Sequence, residues 1–138
     1  MKKHFLIIAL LITTWAQAQD VIQMEKKGGV YKMPCKINGL ALKFVFDTGA
    51  SDVSISLTEA LFMYKNDYLQ ESDFKGTEYY RIANGDIAEG TKVILKTVEI
   101  GKQKLYNVEA SVVHSLEAPL PFGQSALQRF GKFTVIIL

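Results

Sequence analysis

The chain has 138 residues, of which 49% are apolar, and carries 16 basic and 14 acidic side chains, one cysteine and two histidines. That length and apolar content suit a single domain with its own core, and they exclude two full domains or a disordered chain. Lys2 and Lys3 lie in the apolar leader, which leaves 14 basic against 14 acidic residues beyond it. No basic block or aromatic-plus-basic stripe remains, so neither nucleic-acid binding nor electrostatic attachment to a membrane is expected. Cys35 has no second cysteine to bond, and His114 is the one histidine beyond the leader. An intrachain disulfide is excluded, and no Cys/His cluster exists for zinc, so no metal and no cofactor are expected.

In chain order, Met1, Lys2, Lys3 and His4 make a positive start, residues 5–12 form an unbroken apolar run, and Ala16-Gln17-Ala18 has the small-x-small pattern of a cleavage site. This reads as a secretory signal peptide over residues 1–18, leaving a domain over 19–138 exported to the periplasm or the medium. So short an apolar run cannot cross a bilayer that needs about 20 helical residues, so no stable membrane anchor is expected.

Lys26-Lys27-Gly28-Gly29 reads as a turn. Residues 30–37 alternate as a half-buried strand, with Tyr31, Met33, Cys35 and Ile37 on one side, so Cys35 is expected to be a small core residue. Asn38-Gly39 is a favoured type I′ hairpin turn, and residues 40–46 return as the partner strand. Residues 53–55 form a short strand, and Ser56-Leu57-Thr58-Glu59 is a capping box that opens a helix running to about Tyr64. Residues 66–77 read as a polar surface loop.

Residues 78–83 and 87–95 flank a second Asn-Gly turn at Asn84-Gly85, and residues 97–100 lead through Gly101 to a strand over 105–113. His114, near Pro119 and Pro121, has no evident partner and reads as a loop residue. Ser125-Ala126-Leu127-Gln128 is a second capping-box pattern whose helix closes at Gly131, and residues 133–138 are expected to form a terminal apolar strand. The fold class expected is all-β, a small closed β-barrel with one or two short helices.

The chemistry concentrates in Phe44-Val45-Phe46-Asp47-Thr48-Gly49-Ala50-Ser51, where an apolar strand delivers a carboxylate into a turn of small residues. An acid so placed must be hydrogen-bonded or protonated; Gly49 lets backbone amides approach it, and Thr48 offers a hydroxyl to brace the turn. No Gly-x-Ser-x-Gly elbow is present, which argues against a serine or cysteine triad. The segment resembles the Asp-Thr-Gly-(Ala/Ser)-Ser active-site loop of aspartic proteases. About 75 residues later, Pro121-Phe122-Gly123 precedes a short helix and an apolar strand, in the place of the apolar-apolar-Gly segment of retropepsins.

The resemblance spans roughly residues 28–138 and is nearer to the cellular, bacterial retropepsin-like proteins than to the retroviral enzymes. Gln124 and Ser125 stand where retroviral members usually carry Arg and then Asp or Asn, and Pro121 replaces a branched aliphatic.

What the resemblance implies is an acid-protease barrel of the retropepsin type and an aspartic endopeptidase with Asp47 as its catalytic carboxylate. Thr48, Gly49, Ala50 and Ser51 would form the active-site loop, Phe122 and Gly123 the loop supporting it. Ala83, Asn84 and Gly85 would tip a flap closing on an extended peptide or protein substrate. Such a mechanism needs two adjacent carboxylates. Asp52 follows the turn too closely to face Asp47, and Asp86 lies at a hairpin tip, so the second carboxylate is expected from a homodimer partner. Ala50 brings no hydroxyl to the dyad, which points to a mildly acidic optimum of activity. Two other readings use the same residues: a catalytically silent peptide- or protein-binding module on this fold, and a structural β-domain in which Asp47-Thr48-Gly49 is only a turn.

Overall fold

The computed structural model describes residues 19–82 and 84–136. The expected signal peptide, residues 1–18, lies outside the described residues, as do Ala83 and the last two positions.

Strands β1 (Glu25–Lys27) and β2 (Val30–Ile37) pair antiparallel around Gly28-Gly29, and β2 pairs in turn with β3 (Leu40–Phe46). The β2–β3 turn is the expected one: Asn38 (φ 50°) and Gly39 (φ 90°) both take the positive φ that type I′ geometry requires. Asn38 also ties the hairpin to the rest of the sheet. Its amide nitrogen donates to the Tyr68 carbonyl at 2.7 Å, and its amide oxygen accepts from the Thr97 N–H at 2.9 Å.

After the short strand β4 (Val53–Ser56), helix α1 (Leu57–Lys65) begins with the Ser56 hydroxyl accepting from the Glu59 N–H at 3.3 Å. The expected loop over 66–77 proves to be largely structured: a 3₁₀ turn at Glu71–Asp73 leads into β5, Phe74–Arg81. Asp73 closes that turn by accepting from the Gln70 N–H at 2.9 Å, and a bulge near Gly76 (φ 104°) lets β5 start four residues early. The strand is polar because its hairpin is largely exposed, which hides it from a search for hydrophobic alternation.

β6 is one continuous strand, Ile87–Ile100, paired along most of its length with β7, Gln103–Val113. Its buried side chains change phase, Val93 and Leu95 before the change and Val98 and Ile100 after it, which is why the sequence pattern breaks at Lys96. β4 runs parallel to β7, and the two-residue β8 (Pro121–Phe122) runs parallel to β3. The second helix, α2, is Gln124–Leu127 with Gly123 at its N-cap, so Ser125 lies inside the first turn and caps nothing. Its extension at Gln128–Phe130 ends at Gly131 (φ 80°), as expected.

The strand order is β4-β7-β6-β2-β3-β8, with β1 on β2 and β5 on β6. The fold is therefore mostly strand, but among the described residues no ladder joins β8 back to β4, and the expected closed barrel is an open sheet. β8 is short, Pro121 lacks a backbone N–H, and the chain just after β8 bonds the loop between β3 and β4 instead. Among the described residues, 133–136 lie in no ladder, so the expected terminal strand is not formed there.

The core gathers Phe44, Phe122, Ile37, Ile55, Met63 and Leu95, with the Phe44 and Phe122 rings edge to face at 5.7 Å. Among the described residues no helix is long and apolar enough to cross a membrane, and no group of three or more His, Cys, Asp or Glu is arranged to hold a metal. Cys35 is buried as expected, and burial pushes its thiol up to about 12 from an ordinary value of 9.0. The native state keeps this proton where the unfolded chain loses it, so the thiol's contribution to stability is present below about pH 9 and is lost as pH rises through about 12. An aromatic disulfide reagent at pH 8 should accordingly leave Cys35 unlabelled in the native protein and label it fully in denaturant. Rapid native labelling would show that the β2–β3 hairpin opens.

Candidate active site

β3 points Phe44 into the core and ends at Phe46, so the next residue, Asp47, emerges half-buried where the chain must turn. The turn closes on the carboxylate itself. Asp47 Oδ1 accepts from the Gly49 N–H at 2.9 Å and the Ala50 N–H at 3.2 Å, while the Ala50 N–H also faces the Asp47 carbonyl at 3.3 Å. Among the described residues Oδ2 makes no hydrogen bond, which leaves one carboxylate oxygen open. The fit around Oδ1 is tight: a Cβ on Gly49 would stand 3.3 Å from it.

A second layer holds this loop from beneath. The Val45 N–H donates to the Leu120 carbonyl at 2.7 Å and the Asp47 N–H to the Phe122 carbonyl at 3.4 Å. Beyond β8, the Gln124 N–H donates to the Ala50 carbonyl at 2.9 Å and the Ser125 N–H to the Ser51 carbonyl at 2.8 Å. These bonds demand close approach of two backbones at Gly123, which is buried; a Cβ there would collide with the Asp52 carbonyl and come within 2.6 Å of the Ala50 carbonyl.

Thr48, Gly49, Ala50 and Ser51 thus lie in one loop with Phe122 and Gly123 under it. The bracing differs from the expectation in one respect. Among the described residues the Thr48 hydroxyl makes no hydrogen bond; it is the Thr48 carbonyl that is held, by the Gln124 side-chain amide at 3.0 Å. Gln124 was legible in sequence only as a departure from the retroviral pattern, and its position directly after the apolar-apolar-Gly segment is the signal that could have found it.

Asn84 and Gly85 stand apart, in a hairpin that makes no hydrogen bond to the Asp47 loop among the described residues. The turn is not the expected two-residue Asn-Gly type. The Ile82 N–H donates to the Asp86 carbonyl and the Gly85 N–H to the Ile82 carbonyl, both at 2.9 Å, so the loop is three residues long with Gly85 at φ 93°. Asn84 serves it through its side chain, whose oxygen accepts from the Asp86 N–H at 2.9 Å. Ala83, expected in the same tip, lies outside the described residues. Asp52 is exposed, and His114 has a partner the sequence reading lacked, Thr91 Oγ1 at 2.8 Å.

Two hollows of the surface have linings that do not include Asp47. One is lined by Leu57, Tyr64, Phe74 and His114, the other by Pro34, Lys36, Leu42 and Lys43. In the single chain Asp47 is half-buried, and Thr48 and Gly49 beside it are exposed.

An Asp-Thr-Gly turn wrapped on its own carboxylate, locked by an apolar-apolar-Gly segment within a mostly-strand fold, defines a retropepsin-like aspartic protease domain. Comparison with known proteins agrees: the profile of the gag-polyprotein putative aspartyl protease family matches residues 33–129, which include Asp47 and Gly123. The chain belongs to that family. Uncharacterized protein RP867 of Rickettsia prowazekii (strain Madrid E) is 29% identical over 134 residues, covering 94% of this chain and 54% of that protein. The chain thus spans about half the length of the curated relative it matches. The crystal structure of a retropepsin-like aspartic protease from Rickettsia conorii superposes with a TM-score of 0.66 at 24% identity, over 86% of this chain and 85% of that one. At that identity the likeness establishes the fold.

The closest approach in the site gives a direct test. Gly123→Ala places a methyl against backbone atoms that cannot rotate away, and should lower the unfolding free energy in urea by about 1–3 kcal/mol. An unchanged midpoint would mean that the loop is not seated on β8 as described.

Proposed function

We propose that the chain is one half of an aspartic endopeptidase, completed when a second copy brings its own Asp47 beside the first. The observation that carries this reading is the Asp47 carboxylate: one oxygen is fixed by two amides of its own turn, and among the described residues the other makes no hydrogen bond. One Asp-Thr-Gly occurs in these 138 residues, and a second copy of the chain would supply the partner carboxylate.

In such a pair, two close carboxylates share one proton. The ionised member takes a proton from a bound water as the water oxygen attacks the scissile carbonyl carbon, and the protonated member donates to the carbonyl oxygen. The resulting tetrahedral diol collapses as the Asp47 that took the water proton passes it to the leaving nitrogen, the other Asp47 takes a proton from a diol hydroxyl, and the C–N bond breaks. The Gly49 and Ala50 amides keep each Asp47 oriented throughout and so limit reorganisation in the transition state.

Residues 133–136 support the dimer. They are exposed, lie in no ladder, and begin where the Phe133 ring packs edge to face on Phe46 at 5.8 Å, next to Asp47. Pairing the terminal segments of two copies would satisfy their backbone groups and cover Phe133, Val135 and Ile136. The hairpin at residues 82–86 then serves as a flap, with exposed Tyr79, Ile82 and Ile87 closing on an extended peptide. The leader pattern over residues 1–18 supports export of the enzyme to the periplasm or the medium.

Asp47→Asn preserves side-chain volume and removes the titrating pair, so peptide cleavage should fall roughly a thousand-fold or more with fold and dimer retained. Activity within about tenfold of wild type would overturn the assignment. The kcat/KM profile against pH should be bell-shaped with a mildly acidic optimum, because the pair must hold a single proton and Ala50 offers it no hydroxyl donor. An optimum below about pH 3 would contradict the part given to Ala50.

A further inference from the structure

At its hairpin end, β6 has partners on both sides only over a short stretch. It pairs with β5 from Ile87 to Val93 and with β7 from Gly90 onward. The row Glu78, Gly90, Val113 is therefore the last that crosses three strands. Beyond it, residues 79–81 and 87–89 pair only with each other, a two-stranded projection that is marginal by itself. The angle at which the hairpin leaves the sheet is set by whatever holds its root.

At that row the side chains do what the ladder does not. Glu78 reaches from β5 across β6 to β7, where the Ser111 hydroxyl donates to its carboxylate. Directly paired strand residues point to the same face, so Glu78 and Gly90 share a face with Val113 and with Ser111 two positions before it. Gly90 has no side chain to block the crossing. The Tyr80 ring, next along the same face, lies over it: a Cβ on Gly90 would stand 2.8 Å from Tyr80 Cε1 and 2.9 Å from the Val112 carbonyl. The Tyr80 hydroxyl is buried there and makes no hydrogen bond among the described residues, so Tyr80 contributes as a packed ring.

We propose that the Glu78–Ser111 hydrogen bond, laid over Gly90 beneath the Tyr80 ring, is a clip that fixes the root of the 79–89 hairpin to the body of the domain. In function Glu78 and Ser111 are positioning residues: they hold the hairpin at the angle from which it closes on a peptide, and they touch neither substrate nor Asp47. This role in closure rests on the protease reading above, whereas the clip itself is a property of the fold.

The test is amide hydrogen exchange on the full chain, with Ser111→Ala, Glu78→Ala and Glu78→Gln compared with wild type. Gln keeps an oxygen that accepts from Ser111, so it should behave as wild type. Both alanine variants should exchange residues 79–89 about fivefold faster, the factor supplied by one hydrogen bond of ordinary net strength, with residues 93–100 unchanged. In the same variants KM for a peptide should rise more than kcat falls. Unchanged exchange in the hairpin would overturn the clip, as would acceleration spread equally into 93–100 or failure of Gln to restore protection. So would kinetic change without altered exchange, which would make Glu78 a substrate contact. If wild type cleaves no peptide while Ser111→Ala still loosens the hairpin alone, the protease reading fails and the clip stands.

Discussion

Gly123 lies so close to the backbone of Ala50 and Asp52 that no side chain fits between them, and the geometry around Asp47 depends on that approach. Because it is made, the amides of Gln124 and Ser125 reach the carbonyls of Ala50 and Ser51, and the Gln124 side chain reaches Thr48. With its carbonyls held from below, the loop keeps the Gly49 and Ala50 amides pointing at the Asp47 carboxylate. Each step turns a flexible polar turn into a fixed one, and the fixing comes from residues more than seventy positions away in sequence. Phe122, buried between Phe44 and Phe130, supplies the apolar weight beneath the same contact.

The same arrangement explains why the sheet stays open. β8 could extend a barrel only by pairing onward, but its continuation is already engaged with the loop after β3, and Pro121 brings no N–H. The fold gives up closure at the place where it builds the site. A single chain is left with an exposed loop at Thr48 and Gly49 and an unladdered, largely apolar segment at 133–136. Both are accounted for if the working unit is two chains.

Much of this was legible in the sequence because local rules set it. Asn38-Gly39 had to turn with two positive φ values, Ser56 had to cap α1, and Cys35 fell on the buried side of an alternating strand. Asp47, Thr48 and Gly49 were legible as a site because an apolar strand ends there on an acid. Other features depended on partners the sequence does not display. β5 begins at Phe74 inside a polar stretch because β6 pairs with it, and Asn84-Gly85 sits in a three-residue loop because Ile82 and Asp86 pair first. The part of Gln124 was hidden because its value lies in reaching Thr48, a contact made by tertiary folding.

The central claim is that one carboxylate from each of two chains makes the catalytic pair, and subunit mixing tests it most directly. Wild type and Asp47→Asn are unfolded together, refolded at fixed total concentration, and assayed for peptide cleavage across mixing ratios. If both Asp47 side chains are needed, activity follows the square of the wild-type fraction, so an equal mixture retains about a quarter of the full rate. A linear fall, with about half the rate retained, would show that each chain acts alone and would contradict the account.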